Sequence, residues 1–304
     1  MASVPQRSPF RYPGGKTWLV PYVRLWLKSL PRRPREFVEP FAGGAITGLT
    51  VAAEYLARRV ALAEIDEGVS AVWQTVLGPD YRWLIHKITE FIITRESVVK
   101  ELSQTPRNCR ELAFHTILRN RVQRGGIMAH GASLVKNGEN GRGVASRWYP
   151  QTLANRITAI AEMRNRIEFI KGDAFDLIQR YLNWKTAAFF VDPPYTAGGK
   201  RAGTRLYNHS QVDHERLFWL MSKAKGFLML TYDESDEVRS LANRYALRVE
   251  EVPMKNTHHA IMHEYVITNQ GSCLDTAPLE LEAAYLTRKL LNRASPPQPQ
   301  LQRL

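Results

Sequence analysis

The sequence lacks the features that mark secreted, disulfide-stabilised and membrane-spanning proteins. Its 304 residues hold only two cysteines, Cys109 and Cys273, whose spacing suits neither a disulfide framework nor a zinc site. It has no uninterrupted run of about 18 apolar residues, which a membrane-spanning helix needs. Basic residues such as Arg7, Arg11 and Lys16 stand where a signal peptide has an apolar core. We therefore expect a cytoplasmic protein that binds no membrane and no metal.

Acidic residues are also scarce relative to basic ones. The chain has 42 lysines and arginines against 29 aspartates and glutamates, which gives a formal net charge of +13. Residues 1–35 hold eight basic and no acidic side chains, and residues 119–166 hold nine basic and two acidic ones. Charge concentrated in this way favours a nucleic-acid partner over a surface that is merely well solvated.

Short apolar runs alternate with segments of helical periodicity along most of the chain. Such runs, bounded by turn residues, are typical of buried strands. They predict strands at 37–38, 60–65, 167–170, 187–191, 227–231 and 265–267. Between several of them, apolar residues recur at helical spacing, as in 18–26, 46–56 and 217–221. This alternation predicts an α/β protein with a doubly wound parallel sheet.

The alternation stops between residues 70 and 165. This stretch has helical patterns at 83–102 and 112–121, and it then becomes rich in glycine and basic residues at 124–147. Glycine disfavours long helices, so loops are expected in the last of these segments. Loops that carry arginine, lysine and asparagine suit contact with phosphates and bases.

These changes divide the chain into two predicted domains. Residues 1–69 and 166–292 form the predicted catalytic domain, and residues 70–165 form an inserted helical and loop-rich domain. A final helix is predicted near 279–291, followed by a proline-rich, disordered tail at 293–304.

A glycine-rich turn, Glu39-Pro40-Phe41-Ala42-Gly43-Gly44, follows the first predicted strand and precedes a helix. Glycines there let the backbone pass close to a ligand, and the helix N-terminus offers free amides. Glu64 lies 21 residues beyond Gly43, at the end of the next strand, where such folds place the acidic residue that binds a ribose. The pair favours a cofactor that contains a nucleoside. The incomplete G-x-G-x-x-G fingerprint disfavours a nicotinamide dinucleotide.

A second glycine element, Gly14-Gly15-Lys16-Thr17, resembles the end of a phosphate-binding loop. The full motif fails because Phe10 stands where it needs a glycine. Two interpretations stay open. The turn brings Tyr12 and Lys16 to a ligand at the edge of the sheet, or it opens a helix and leaves a lysine on the surface.

The tetrapeptide Asp192-Pro193-Pro194-Tyr195 follows an apolar strand and so lies at the edge where such sheets bind ligands. The prolines stiffen the turn and have no backbone N–H. The Asp192 carboxylate and the Pro193 carbonyl could therefore accept hydrogen bonds from the two N–H groups of an exocyclic amine. These bonds would free the lone pair of the amine nitrogen for attack. Tyr195 would stack on a base swung out of a duplex. An ordinary proline-rich turn is the alternative.

With these residues assembled, the chain resembles the Dam-like (D12 class) DNA N6-adenine methyltransferases, which use S-adenosylmethionine. The resemblance runs from Phe10 to about Asn269 and follows the family's alpha order: glycine-lysine, Glu-Pro-Phe-x-Gly, insertion, Asp-Pro-Pro-Tyr. It implies a Rossmann-like methyltransferase sheet, with the inserted domain as the target recognition domain. It also implies that no metal is needed.

The resemblance assigns roles to individual residues. The implied catalytic residues are Asp192, Pro193, Pro194 and Tyr195. The implied cofactor-binding residues are Tyr12, Lys16, Glu39, Phe41, Gly43, Glu64, Asp173, Phe175 and Asp192. Of these, Glu64 corresponds to the residue that holds the ribose, and Asp66 is an alternative because relatives more often have aspartate. Asp173 and Phe175 match the element near the adenine ring.

The inserted domain resembles the family less closely. Asn120-Arg121 fits a family signature, but the Phe-Asn-Val-Pro-Phe-Gly segment of close Dam relatives is replaced by 136–142, so recognition of GATC is not implied. Bidentate contact of an arginine with guanine would specify sequence, whereas phosphate contacts would only position the protein. The predicted DNA-binding residues are Asn120, Arg121, Arg124, Lys136, Arg142 and Arg147.

These observations predict a site-specific methyltransferase that moves a methyl group from S-adenosylmethionine to N6 of an adenine flipped out of double-stranded DNA. Two alternatives stay open: a methyltransferase of the same fold that acts on RNA or on a protein amide, and a catalytically silent DNA-binding protein. The resemblance further implies a prokaryotic or phage-type protein, a monomer or weak dimer, with a cognate restriction endonuclease as a candidate partner.

Overall fold

The computed structural model describes residues 4–11, 15–126, 133–138, 141–194, 212–255 and 261–269. Tyr12, Tyr195 and the predicted helix and tail at 279–304 lie outside these residues. In the part of the chain that is described, no helix combines the length and the apolar character needed to cross a membrane.

A seven-stranded sheet forms the centre of the described structure. Its strands are β1 (Glu36–Glu39), β2 (Arg59–Glu64), β3 (Ile167–Lys171), β4 (Ala187–Val191), β5 (Phe227–Asp233), β6 (Arg248–Lys255) and β7 (Ile261–Thr268). They lie in the order β3-β2-β1-β4-β5-β7-β6. Strands β1 to β5 are parallel, and β7 runs antiparallel to both of its neighbours. The six predicted strands are confirmed, several with longer bounds.

The predicted α/β fold with a doubly wound sheet is confirmed, and the sheet is mixed because β6 and β7 form an antiparallel pair at one edge. Strand β6 was not predicted. Its sequence includes Glu250, Glu251 and Pro253, which interrupt the apolar pattern on which the other predictions depended. Charged residues and proline suit an edge strand, because one side of such a strand has no neighbour to pair with.

Helices cover both faces of the sheet. They are α1 (Val20–Ser29), α2 (Ile46–Ala53), α3 (Glu67–Leu77), α4 (Tyr81–Glu90), α5 (Arg95–Leu102), α6 (Cys109–Val122), α7 (Pro150–Glu162), α8 (Ala174–Tyr181), α9 (His214–Lys223) and α10 (Asp236–Arg244). The helical pattern at 83–102 is two helices, because Thr94 and Ser97 form a capping box that begins α5.

Two clusters of buried apolar side chains hold these layers together. One cluster joins α1 to α7 to one face of the sheet, and it includes Phe37 and Phe190 of the strands together with Leu84, Phe114 and Ile157 of the helices. The other joins α8, α9 and α10 to the opposite face. The helices of the predicted inserted domain therefore share a core with the sheet. The boundaries at 70 and 165 stay a prediction.

Candidate active site

The carboxyl ends of the parallel strands meet at one edge of the sheet, which we call the carboxyl edge. Strand β1 lies between β2 and β4, so the chain changes direction across the sheet there, and open α/β sheets bind ligands at such a point. The turn 39–44 leaves β1 at this edge, Glu64 ends β2, Asp173 follows β3, and Asp192 follows β4. The structure thus brings four separately predicted segments to one place.

Lys16 lies at the centre of a buried ion cluster at this edge. Its Nζ is 2.9 Å from Oδ1 of Asp192 and 3.2 Å from Oε1 of Glu264. Its side chain is 6% exposed, and that of Glu264 is 3% exposed, against 21% for Asp192. Burial lowers the pKa of the Lys16 ammonium, but the two carboxylates outweigh this and raise it above its ordinary value. Lys16 is therefore a charged group of the site and not a surface lysine at a helix start.

Two members of this cluster were missed in the sequence. Glu264 comes from β7, and Thr231 of β5 donates a hydrogen bond from Oγ1 to Oδ1 of Asp192 at 2.9 Å. Both side chains are buried, Thr231 at the end of the apolar run 227–230 and Glu264 directly before the run 265–267. A polar residue at the border of an apolar run was the available signal, because a buried polar group needs a partner.

The glycine-rich turn after β1 is held in place from two sides. Gly43 has a φ of 46°, a left-handed conformation that favours glycine. Its carbonyl accepts a hydrogen bond from Nε1 of Trp73 on α3 at 3.0 Å. Its N–H donates to Oε2 of Glu64 at 2.9 Å. The predicted pairing of Gly43 with the end of β2 is therefore a direct contact.

Glu64 and Asp66 have different surroundings. Oε1 of Glu64 accepts hydrogen bonds from the N–H groups of Ile65 and Asp66, both at 2.9 Å, in addition to the bond from Gly43 to Oε2. The Asp66 side chain accepts from the N–H of Val69 and caps α3. Burial raises the pKa of Glu64 to about 7. Glu64 is thus the carboxylate that belongs to the turn, whereas Asp66 has a helix to cap.

The other two predicted residues of this turn, Glu39 and Phe41, differ in how deeply they are buried. Glu39 is 4% exposed, and its Oε2 accepts a hydrogen bond from the N–H of Gly48 on α2 at 2.8 Å. Burial raises the pKa of Glu39 well above its ordinary value. Phe41 is partly buried and packs on the core cluster of α8 to α10. Glu39 therefore supports the turn from below.

Asp173 and Phe175 begin helix α8 at the carboxyl end of β3. Oδ1 of Asp173 accepts a hydrogen bond from the N–H of Phe175 at 2.7 Å and caps the helix. Asp173 is exposed, whereas Phe175 is 8% exposed and has the Arg216 guanidinium 4.6 Å from its ring centre. Asp173 can accept a hydrogen bond from a ligand, whereas Phe175 belongs to the core cluster of α8 to α10.

Asn120 and Arg121 are buried, at 1% and 4% exposure, and bind the main chain of the N-terminal segment 8–11. Oδ1 of Asn120 accepts from the N–H of Arg11 at 2.8 Å, and its Nδ2 donates to the carbonyls of Arg11 at 3.0 Å and Gly126 at 3.1 Å. Arg121 donates to the carbonyl of Pro9. As the structure places them, these side chains are not accessible to DNA. They fix the segment that leads to Lys16.

Replacing Asn120 with alanine should release this segment. The change removes the hydrogen bonds from the Asn120 side chain to the main chain of Arg11 and Gly126, and each such bond contributes about 0.5–1.5 kcal/mol. We expect a lower free energy of unfolding in urea and faster tryptic cleavage at Arg7 and Arg11. Asn155→Ala, on the exposed face of α7, is the matched control. Cleavage of Asn120→Ala at the rate of the parent would contradict this role.

The remaining predicted DNA-binding residues lie nearer the surface. Arg124, Lys136 and Arg142 are exposed, and Arg147 is partly buried. They sit on the glycine-rich stretch that follows α6, where Val135 N–H bonds back to the carbonyl of Val122 at 2.8 Å. The first three are therefore available to a large ligand.

No metal centre is built from the residues that the structure describes, since they contain no group of three or more histidine, cysteine, aspartate or glutamate side chains able to hold an ion. The acidic groups of the carboxyl edge are bound by an ammonium, a hydroxyl and backbone amides instead.

Comparisons with known proteins identify one family. The model of the D12 class N6 adenine-specific DNA methyltransferase family matches residues 12–256, which include every predicted cofactor-binding and catalytic residue. No curated protein sequence matches the chain. A proposed RNA methyltransferase from Pyrococcus horikoshii has a TM-score of 0.36 and 10% identity, with 85% of this chain and 84% of that chain covered. The m1A22 tRNA methyltransferase TrmK of B. subtilis has a TM-score of 0.36 and 9% identity, with 90% and 88% covered.

Proposed function

Because the chain belongs to the D12 class N6 adenine-specific DNA methyltransferase family, we propose that it methylates N6 of adenine at a specific sequence in double-stranded DNA, using S-adenosylmethionine. The observation that carries the proposal is the position of Asp192. It lies at the carboxyl edge, directly after β4 and beside β1, with Lys16 and Thr231 bound to one of its oxygens.

Asp192 and Pro193 are the proposed acceptors for the target amine. Lys16 and Thr231 both bind Oδ1 of Asp192, so they set the orientation of the carboxylate before substrate arrives. Together with the Pro193 carbonyl, Asp192 would accept hydrogen bonds from the two N–H groups of the amine and direct its lone pair towards the methyl donor. Pro194 has no N–H to compete for these acceptors. Tyr195 would stack on the adenine once it has left the duplex.

The carboxyl edge also suits the methyl donor. When bound, S-adenosylmethionine supplies a methyl group activated by a positively charged sulfur. The structure offers acceptors for the donor's other groups: Glu64 for ribose hydroxyls and the exposed Asp173 for the adenine amine. Ile65, 46% exposed, adds an apolar surface beside Glu64. These residue types fit a nucleoside, and the buried Glu39 supports the turn that would approach it.

The role of Glu64 predicts a pH dependence. Ribose hydroxyls donate hydrogen bonds to a carboxylate, so binding favours the ionised form of a group whose pKa burial raises to about 7. The affinity for S-adenosylmethionine should therefore fall as the pH drops below about 7, by up to roughly tenfold per unit. Calorimetric titration across this range measures it. Glu64→Gln should bind weakly but with no such slope, and a flat profile in the parent would contradict the assignment.

DNA binding is proposed for the exposed residues Arg124, Lys136 and Arg142. Their charge would act on phosphates, and an arginine among them that meets a guanine edge would contribute sequence specificity. Phosphate contacts of this kind make the affinity fall steeply with added salt.

The experiment that tests the proposal is methyl transfer from labelled S-adenosylmethionine to duplex DNA, single-stranded DNA and RNA of matched sequence. Label that enters duplex DNA, and is not competed away by RNA, supports it. Preferential labelling of RNA would overturn the proposed substrate, and calorimetric binding of S-adenosylmethionine without transfer to any of these acceptors would overturn the proposed reaction.

A further inference from the structure

The amino ends of the parallel strands form a second edge of the sheet, which carries a row of exposed basic residues. Arg35 precedes β1, Lys185 precedes β4 and Lys225 precedes β5, in neighbouring positions of the sheet. Backbone hydrogen bonds join Arg35 to Thr186 at 2.9 Å and Arg59 to Arg35 at 3.1 Å, so these strand starts are in contact. We call the following set the amino-edge row: Arg32, Arg33, Arg35, Arg58, Arg59, Lys185 and Lys225.

The charge of this row is only partly neutralised by acidic side chains. No ion pair within the described part of the chain includes any of its members. Glu36, 5% exposed, attracts Arg35 and Arg59 electrostatically but forms no ion pair with either. Glu168 is paired with Arg180 at 2.7 Å, and Glu54 is paired with Arg24. The row therefore presents its positive charge to solvent.

Two exposed aromatic rings lie along the same edge. Trp184 is 39% exposed, with the Arg35 guanidinium 5.8 Å from its ring centre. Tyr55 is 59% exposed, with the Arg166 guanidinium 4.0 Å from its ring centre. Basic groups interleaved with aromatic rings are typical of surfaces that bind nucleic acid. A surface that serves solubility alone has no need of exposed tryptophan.

This edge is remote from the catalytic one. Seven residues of extended chain separate Lys185 from Asp192, a distance of about 20 Å at the usual rise of a strand. The charge of residues 1–35 is thus divided: Lys16 belongs to the carboxyl edge, whereas Arg32, Arg33 and Arg35 lie on the opposite edge. A straight duplex whose adenine is at Asp192 does not reach them.

We propose that the amino-edge row binds a second segment of duplex DNA while the carboxyl edge holds the first. Across four strands the row extends about 15 Å, which matches about four successive phosphates of one DNA strand. Such a contact would keep the protein on long DNA by holding a neighbouring segment. The identification of DNA, and not another polyanion, as the ligand of the amino-edge row rests on the proposed function.

The test compares Arg32→Gln/Arg58→Gln/Lys185→Gln with the control Arg110→Gln/Arg239→Gln/Arg244→Gln. The control loses the same charge, but from residues already paired with aspartate or glutamate, where surface ion pairs contribute little to stability. The number of short, non-specific duplexes bound per protein is measured by analytical ultracentrifugation at about 50 mM salt, where phosphate contacts are strong. S-adenosylmethionine is left out, so the outcome does not depend on methyl transfer.

The parent and the control should bind two duplexes, and the amino-edge variant should bind one. The salt slope for long DNA should fall by about 3 in the amino-edge variant, because each phosphate that the protein no longer neutralises lowers the slope by about 0.9. Its turnover on a short duplex should equal that of the parent. The inference is overturned if the parent binds a single duplex, if the amino-edge variant still binds two, or if duplex RNA takes the second position in preference to DNA.

Discussion

Replacing Asp192 with alanine will lower the rate of methyl transfer by about 10²- to 10³-fold, the usual loss when one preorganised polar partner of the reacting group is removed. Asp192 is the acceptor that Lys16 and Thr231 hold at the carboxyl edge. Single-turnover transfer from labelled S-adenosylmethionine to duplex DNA measures the loss. Binding of S-adenosylmethionine should stay measurable in the variant, since Glu64 and the turn at Gly43 are unchanged.

Two further variants sharpen this prediction. Asp176→Ala removes an exposed aspartate of α8 and should retain the rate of the parent. Thr231→Val keeps the Asp192 carboxylate but removes one of the bonds that orient it, so it should give a smaller loss than Asp192→Ala. Transfer by Asp192→Ala at the parental rate would exclude the proposed role of the carboxylate.

Replacing Lys16 with methionine will destabilise the protein by about 3–5 kcal/mol, the usual loss when one partner of a buried ion pair is removed. Glu264 is the residue most affected, at 3% exposure and 3.2 Å from the ammonium. Adding Glu264→Gln should recover part of the loss, because it removes the buried negative charge that lies opposite the ammonium. Urea denaturation of the parent, both single variants and the double variant forms the cycle that isolates the coupling.

The result that would contradict a coupled cluster is strict additivity of the two substitutions. Burial of such a cluster is costly, and apolar replacements of buried ion pairs are often neutral or stabilising. The cluster is therefore better explained by the chain segments that it positions than by a contribution to the free energy of unfolding. It ties the segment after residue 15, the end of β4 and the antiparallel strand β7 to the same point.

Much of the fold is readable from the sequence because its strands are continuous apolar runs. The run 187–191 has the bounds of β4, and 227–231 lies within β5. Strand β6 was missed because its pattern is broken by Glu250, Glu251 and Pro253. The break between α4 and α5 was missed because 91–94 contains neither glycine nor proline, and a Thr94–Ser97 capping box ends the pattern instead.

The site residues that directly follow strands can be predicted from the sequence. Those whose position depends on pairing between strands distant in sequence are harder to predict. Asp192 and Glu64 each end a strand, so their position at the carboxyl edge follows from the topology. Glu264 reaches the same place only because β7 runs antiparallel beside β5, with Glu264 opposite Asp233. No local pattern specifies that register. Thr231 is visible as a polar residue in an apolar strand, but its partner is not.

Basic and polar residues of the inserted stretch illustrate a further limit. Composition alone does not separate Asn120 and Arg121, which hold main chain in the interior, from Arg124 and Lys136, which face solvent. The two groups differ in burial, and the burial of Asn120 and Arg121 depends on where helix α6 packs. The same holds for Arg32 and Arg33, whose charge the sequence places near Lys16 but the fold places on the opposite edge.

The central claim is that the chain methylates N6 of adenine in duplex DNA. Incubation of mixed-sequence duplex DNA with labelled S-adenosylmethionine, followed by nucleoside analysis and modification-sensitive sequencing, tests it directly. The account predicts N6-methyladenine, confined to one sequence context and greatly reduced with Asp192→Ala. Methylation of another base or of another position on adenine, or no label in DNA from protein that binds S-adenosylmethionine, would contradict it.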